Sequence, residues 1–136
     1  MIIVLDTNVL IFGILKPYSK AATLLGLVTD GTIQLAYDLR LLSEYRDVLN
    51  RPKLDFAKED VEGFLEQTEE EGLLVSVKPS RFHLPDPDDE PFLEVALSGG
   101  VKAIITGNKR HFPKKEYEGV RILSPAEFLE AVKEKV

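Results

Sequence analysis

The sequence of 136 residues predicts an α/β fold built on a parallel sheet. Short apolar runs that are rich in β-branched residues and lack polar alternation are typical of strands buried on both faces of such a sheet. Five runs of this kind occur, at residues 2–5, 33–37, 73–77, 102–105 and 120–123. Helical patterns separate them, and this alternation favours the α/β class.

Apolar stripes at helical spacing predict the helices. They cover residues 41–49, 59–71 and 92–97, and a last helix opens at Pro125 and runs to the C-terminus. The second of these helices has a strongly acidic outer face, and Gly72 is expected to end it. No repeat or linker interrupts the pattern, so we predict a single domain over residues 1–136.

Composition excludes several kinds of site. The chain has no cysteine, which rules out disulfides, thiolate zinc sites and a cysteine nucleophile. Its two histidines, His83 and His111, are too few for a histidine-built metal cage. With 17 basic and 23 acidic residues the net charge is −6, so any contact with nucleic acid must be local. Carboxylates are what remains for chemistry.

The apolar stretches are short. The longest, residues 9–15, is far below the length that crosses a bilayer, and no basic region precedes it. We therefore expect a cytoplasmic protein without membrane association.

Acidic side chains follow the first two strands. Asp6 comes directly after the first strand, Asp38 follows the second, and Glu44 lies between one and two turns into the next helix. Ligands of open parallel sheets bind beyond the carboxyl ends of the strands, so these residues lie at the binding edge. Glu44 sits on the border of its helix's apolar stripe, which should direct it along that edge.

Two later segments reach the same edge. Asp86, Asp88 and Asp89 precede a helix whose start lies there, because crossover helices begin where strands finish. Asn108 follows the fourth strand. Four segments distant in sequence thus bring oxygen ligands to one edge of one sheet.

Carboxylates gathered in this way repel one another, and a divalent cation relieves the repulsion. Oxygen ligands without Cys or His suit Mg²⁺ or Mn²⁺ rather than zinc. We predict that Asp6, Glu44 and Asp89 hold such an ion and are catalytic. The chemistry indicated is phosphodiester hydrolysis, in which a metal activates water and neutralises charge on the phosphate.

Each residue also has a structural explanation. Asp6 or Asn8 could cap a helix that begins near Val9, and Asp89 could cap the helix that contains Pro91. Glu44 could be a solvated residue beside an arginine such as Arg40. Asn108 could simply form a turn. Capping accounts for single residues, however, and not for their convergence at one edge.

Basic residues cluster just beyond this edge, at Lys109, Arg110, Lys114 and Lys115. With His111 and Phe112 they could grip RNA phosphates and stack a base, although a solvated loop is an equal alternative. A second group could extend the track, at Arg46, Arg51 and Lys53.

Three segments resemble the motifs of PIN domains. The opening "MIIVLDTNVL" is similar to the family's first strand, which delivers an acid in a D-T-N setting and places it at Asp6. "LLSEYRDVLNRPKL" resembles the E-x-x-x-V-L frame of the second acid, at Glu44. "DPDDEPFLEVALSGGVKAIITGN" is similar to the third block, in which Asp89 is the best match and Asp86 and Asp88 are accessory candidates.

The resemblance covers essentially the whole chain. The tail "RILSPAEFLEAV" is similar to that of prokaryotic VapC-like proteins, the toxin components of toxin–antitoxin systems. The resemblance implies a three-layer α/β/α sandwich with a mostly parallel sheet of about five strands, homodimers and Mg²⁺ or Mn²⁺. It also implies cleavage of RNA and neutralisation by an antitoxin protein.

One position departs from the family pattern. Asn108 stands where the family commonly has a fourth acid; an amide oxygen can still bind a metal, so Asn108 joins the predicted metal ligands. The departure motivates a second hypothesis, a weakened or inactive PIN fold that binds RNA or protein. A third, a phosphoacceptor domain with Asp6 as nucleophile, lacks its second Asp because Asn8 occupies that place.

Overall fold

The computed structural model describes residues 1–133 of the chain. Its strands are β1 (Ile2–Leu5), β2 (Gln34–Tyr37), β3 (Leu73–Leu74), β4 (Ala103–Ile105), β5 (Glu116–Tyr117) and β6 (Val120–Leu123). Its helices are α1 (Thr7–Leu15), α2 (Lys20–Thr29), α3 (Leu39–Leu49), α4 (Lys58–Glu71), α5 (Glu90–Ser98) and α6 (Pro125–Lys133). Single 3-10 turns occupy Pro52–Leu54, Pro87–Asp89 and Lys109–His111.

The strands form one sheet in the order β3-β2-β1-β4-β6-β5. All pairings are parallel except β5 with β6. The five predicted strands are all present, although β3 pairs over only two of the five residues that the apolar run suggested. The predicted α/β fold with a mostly parallel sheet is confirmed.

The sixth strand, β5, has no counterpart among the predicted runs. It is two residues long, one of them exposed, and it is held by a hairpin to β6. The turn residues Glu118 and Gly119 both have positive φ, 47° and 92°, as a two-residue type I′ turn requires. The strand therefore depends on this turn rather than on its own apolar residues.

Helices cover both faces of the sheet. Helix α5 packs on β1, β2 and β4, while α2 contacts α1 and α6. The chain moves outward from β1 to β3 and then returns to β4 on the other side of β1. Right-handed crossovers consequently place α5 on the face opposite α1 to α4, which gives the three layers.

The core is centred on β1, which lies between β2 and β4. Val4, Leu5, Ile104 and Ile105 are completely buried, as expected of central parallel strands. From α3, the buried Tyr45 donates its hydroxyl to the carbonyl of Leu5, which fastens this helix to the end of β1.

The predicted helices are present, and α2 is an addition to them. Gly72 ends α4, with its N–H donated to the carbonyl of Thr68. Helix α6 begins at Pro125 as predicted and is described to Lys133; the predicted continuation to the C-terminus lies outside the described residues. Over residues 1–133 no single helix has the length and apolar character to cross a membrane, and only the bent pair α1 and α2 meets those two criteria together.

Gly72→Ala is expected to destabilise the fold. An added Cβ would lie 2.4 Å from the carbonyl oxygen of Thr68 and 2.8 Å from that of Leu35, so backbone would have to move. Overpacking of this kind costs about 1–3 kcal/mol in the free energy of unfolding, measurable by urea denaturation. Gly63→Ala is the control: nothing lies within 4 Å of its Cβ, and a helical interior glycine replaced by alanine should gain roughly 0.5–1 kcal/mol. Equal stability of the two variants would contradict this packing.

Candidate active site

Asp6 is the most buried acid at the carboxyl edge of the sheet. It follows β1 directly, and its N–H is donated to the carbonyl of Ile105 on β4. Its exposed fraction is 4%. The hydroxyl of the fully buried Thr106, the residue after β4, donates to Asp6 Oδ2 at 2.7 Å. Two parallel neighbouring strands that end at the same level thus fix this carboxylate.

Burial raises the pKa of Asp6, and the hydrogen bond from Thr106 only partly offsets that effect. The residue occupies the N-cap position of α1, yet its side chain makes no capping hydrogen bond. The backbone N–H groups of Asn8 and Thr7 lower this pKa slightly, but burial outweighs them, so a helix cap alone does not explain a buried Asp6.

Glu44 extends from α3 towards the same place. The hydroxyl of Thr7, the residue after Asp6, donates to Glu44 Oε2. Burial raises the pKa of the half-buried Glu44, and the charges of Asp6 and Asp88 raise it further. A carboxylate on a helix flank thus faces the end of β1.

The surface alternative for Glu44 required Arg40 as its partner. Arg40 instead contacts Asp38 Oδ2 and Glu94 Oε1, each at 2.8 Å. Asp38 also caps α3 by accepting the N–H groups of Arg40 and Leu41. Asp38 is consequently a structural residue, and Arg40 is not the partner of Glu44.

Asp89 reaches the edge from the start of α5. It holds the N-cap position without making a capping bond, whereas Asp86 accepts the N–H of Asp88 at 2.9 Å. Burial raises the pKa of Asp89 to about 6, and the charge of Asp6 contributes to the increase. The charges of both Asp6 and Glu44 raise the pKa of Asp89, whereas the charge of Asp88 raises that of Glu44, so both aspartates lie near the other acids.

His111, which the sequence places among the basic residues beyond the sheet edge, lies next to Asp89. Its Nδ1 lies 3.4 Å from Asp89 Oδ2, and neither buried atom has a hydrogen-bond partner among residues 1–133. The charge of His111 also lowers the pKa of Asp6. The sequence shows only that His111 precedes an aromatic residue, Phe112. In the structure Phe112 is buried, with an exposed fraction of 1%.

Asn108 has a local role. Its Oδ1 accepts the N–H of Arg110 at 3.1 Å and caps the 3-10 turn Lys109–His111. The residue is exposed, and its own N–H is donated to the hydroxyl of Thr106. The predicted turn is therefore present. A metal ion bound by Asn108 would have to compete with the N–H of Arg110 for the same Oδ1 atom.

The predicted acids therefore come together only in part. Asp6, Glu44 and Asp89 lie close enough for the charge of one to shift the pKa of another. Over the described part of the chain, however, no three carboxylate or imidazole groups form a ready-made metal-binding cluster. The arrangement is thus a set of neighbouring acids at one edge of the sheet rather than a closed cage.

The family follows from a comparison of the sequence with family models. The model of the PIN domain matches residues 2–110, most of the chain, and this span contains all the acids just described. The chain belongs to the PIN-domain family. No curated protein and no solved structure matches it.

PIN domains are generally nucleases and generally use divalent metal ions, so this chain has a nuclease-type fold. The acids delivered after β1, within α3 and before α5 correspond to the three motifs that the sequence carries. In this PIN domain His111 adds an imidazole next to the third acid.

Several of the basic residues that the sequence offers for binding RNA already interact with other side chains of this PIN domain. Lys109 forms an ion pair with Glu127, and Lys114 Nζ lies 5.0 Å from the centre of the Phe82 ring. Phe112 is buried, so the predicted stacking of a base on this ring is wrong. Arg46 pairs with Glu69, while the charge of Arg51 is near enough to lower the pKa of Glu44.

Asp89→Asn should stabilise this PIN domain in metal-free buffer at pH 8. The folded protein keeps the proton of Asp89 up to a pH of about 6, whereas the unfolded chain releases it near the ordinary value of 3.8. Stability is therefore lost as pH rises through this window and stays low above it, and the variant avoids the loss. We expect a gain of roughly 1 kcal/mol, discounted for solvent screening, that disappears near pH 4.

The measurement is urea denaturation of both proteins across this pH range with EDTA present. Asp47→Asn, an exposed position on α3, is the control and should change nothing. A gain for Asp89→Asn that is equal at pH 4 and pH 8 would contradict a raised pKa.

Proposed function

We propose that this PIN domain is a metal-dependent endoribonuclease that hydrolyses RNA phosphodiester bonds, with Asp6, Glu44 and Asp89 as its catalytic residues. The observation that carries the proposal is the placement of three acids with raised pKa values at one sheet edge. Such an arrangement costs stability. Helix capping does not account for Asp89, which makes no capping bond, and Arg40 pairs with Asp38 and Glu94 rather than with Glu44.

The side chains suit a hard divalent cation. The donors are carboxylate oxygens, and Asp89 Oδ2 is buried without a hydrogen-bond partner in the described chain. Mg²⁺ characteristically takes one or two carboxylates and keeps several waters, which fits acids that are near one another but not clustered. Asp6, Glu44 and Asp89 would hold Mg²⁺ or Mn²⁺, with Asn108 as a fourth candidate. When bound, the cation supplies positive charge that stabilises the phosphate and lowers the pKa of water in the site.

The protein's own residues position and balance the acids. Thr106 holds Asp6 at the end of β1, and Thr7 holds Glu44. The raised pKa of Glu44 would make it a stronger base than an ordinary glutamate for taking a proton from an attacking water. His111 Nδ1 lies 3.4 Å from Asp89 Oδ2 and would place positive charge next to this carboxylate when protonated. RNA would then enter over the exposed edge of the sheet.

Asp6→Asn and Glu44→Gln are each expected to lower the rate of cleavage of single-stranded RNA by at least roughly 100-fold. Asparagine at position 6 can still accept the Thr106 hydroxyl, so the fold should persist. Asp47→Asn, three residues after Glu44 and exposed, is the matched control and should cleave as the wild type does. Unchanged cleavage by the two site variants would show that the catalytic assignment is wrong.

Mn²⁺ should raise the melting temperature, because an ion that binds only the folded state stabilises it. At a free concentration about one hundred times the Kd, the gain in the free energy of unfolding is about 2.7 kcal/mol. Asp6→Asn should abolish the shift in differential scanning fluorimetry, and Asp47→Asn should retain it. Equal shifts in wild type and Asp6→Asn would place the ion elsewhere.

The biological role that we propose is the toxin of a toxin–antitoxin pair. The VapC-like tail of the sequence supports it, and its final part forms α6 against α2. This role would include a homodimer in the cytoplasm, RNA as the target and an antitoxin protein that restrains cleavage.

A second candidate function is a catalytically weakened or inactive PIN fold that binds RNA or protein. Two observations favour it: Asn108 replaces the family's fourth acid, and residues 1–133 contain no ready-made metal cluster. Wild-type protein that cleaves no better than Asp6→Asn is the outcome that would select this function over the first.

A further inference from the structure

A cleft of about 400 Å³ opens beside the acidic edge. It lies between the 3-10 turn after β4, the β5–β6 hairpin and the start of α6. Leu123, the last residue of β6, belongs to its wall, so the cleft reaches the carboxyl edge of the sheet on which the acids lie. A volume of this order holds a ligand of about the size of a nucleotide.

The charge of the cleft is opposite to that of the chain. Its wall carries Lys109, Lys114, Lys115 and Arg121 against Glu116 and Glu127, in a protein with a net charge of −6. A local excess of cations in an acidic protein marks a place where a polyanion binds.

The cations of the cleft differ in their freedom. Lys109 is paired with Glu127, and its hydrogen bond lowers the pKa of this acid to about 2. Lys115 and Arg121 are exposed and make no ion pair within residues 1–133, although Glu116 lies opposite Arg121 in the β5–β6 register. Two cations are thus available for an external anion.

One short turn joins the cleft to the acidic edge. Lys109 at its start lines the cleft, and His111 at its end contacts Asp89. Asn108 caps this turn, and Phe112 anchors it in the core. A strand of RNA lying in the cleft would therefore pass along the turn that contacts Asp89.

We infer that this cleft binds the phosphate backbone of single-stranded RNA on one side of the bond that is cleaved, with Lys115 and Arg121 as the phosphate contacts. The inference rests on the proposed function for its choice of RNA. Phe112 belongs to the wall of the cleft, but its exposed fraction is only 1%, so its ring is not free to stack on a base. Phosphate contacts carry no sequence information. Binding here should consequently be strongly salt-dependent and nearly independent of base sequence.

The test measures RNA binding separately from cleavage. Fluorescence anisotropy of a labelled ten-nucleotide oligouridine is recorded in EDTA, over a range of salt concentrations, with the full-length protein. The double variant Lys115→Ala/Arg121→Ala should bind more weakly, and the slope of log affinity against log salt should fall by roughly 1.4, about 0.7 for each lost phosphate contact. Lys115→Arg/Arg121→Lys retains both charges and should keep the wild-type slope.

Lys20→Ala/Lys58→Ala is the matched control. Both lysines are exposed first residues of helices, α2 and α4, and neither lines the cleft. Removing a positive charge from a helix N-terminus does not cost stability, so this control loses the same charge without harm to the fold. Its slope should equal that of the wild type.

Each result decides the inference. A wild-type slope in Lys115→Ala/Arg121→Ala, or an equal loss in the control pair, overturns it. Binding of polyglutamate that depends on the same two residues, with no RNA binding, would assign the cleft to an acidic peptide and also overturn it. Oligodeoxythymidine binding equal to that of RNA keeps the phosphate site but removes its assignment to RNA.

The outcome for the proposed function is read separately. If wild-type protein cleaves no RNA with Mn²⁺ but loses RNA binding in the cleft variant, the nuclease proposal fails and the cleft stands. If cleavage is normal and the cleft variant binds as the wild type does, only the cleft is wrong.

Discussion

The burial of the Asp6 carboxylate at the end of the central strand is the constraint around which this structure is arranged. A buried carboxylate is costly unless a donor satisfies it. The donor is Thr106, which follows the neighbouring strand β4 and is itself fully buried. Because β1 and β4 are parallel and end together, the sheet delivers acid and hydroxyl to one point.

The other acids are positioned relative to this point. Tyr45 fastens α3 to the carbonyl of Leu5, one residue before Asp6, and Thr7, one residue after it, holds Glu44 on the same helix. The return of the chain over β1 then brings the start of α5, with Asp89, to the same edge. The cost appears as raised pKa values, which would be hard to explain if the acids served the fold alone.

Much of the fold follows from the pattern of apolar residues. The runs that became β1, β2, β4 and β6 lack polar alternation because both of their faces are covered, and this is visible in sequence. The two-residue strand β5 is not visible, since the turn at Glu118 and Gly119 creates it. Helix α2 cannot be predicted from an apolar stripe, because apolar residues dominate both this helix and α1 before it.

The candidate site, like the fold, can be predicted from the sequence only in part. Strand ends and helix starts are local features, so Asp6, Glu44 and Asp89 could be assigned to one edge from the order of elements. Which polar atom meets which depends on the packing of loops: Asn108 turns to cap Arg110, and His111 turns inward to Asp89. The burial of Phe112 accounts for the inward turn of His111. No periodic pattern in the sequence indicates that a single loop residue is buried.

The charge of the cleft differs from the charge of the chain as a whole. The chain is acidic as a whole, which repels a nucleic acid at long range, while the cleft beside the site is basic. Phosphates are thus favoured in the cleft and disfavoured by the net charge of the chain.

The central claim is that the three acids share one divalent cation. A crystal of the wild-type protein soaked in Mn²⁺ and measured for anomalous scattering tests it most directly. We expect an anomalous peak between the carboxylates of Asp6 and Asp89, which Glu44 would contact directly or through a water molecule. Ordered density for all three side chains with no peak between them, or a peak only at another surface, would contradict it.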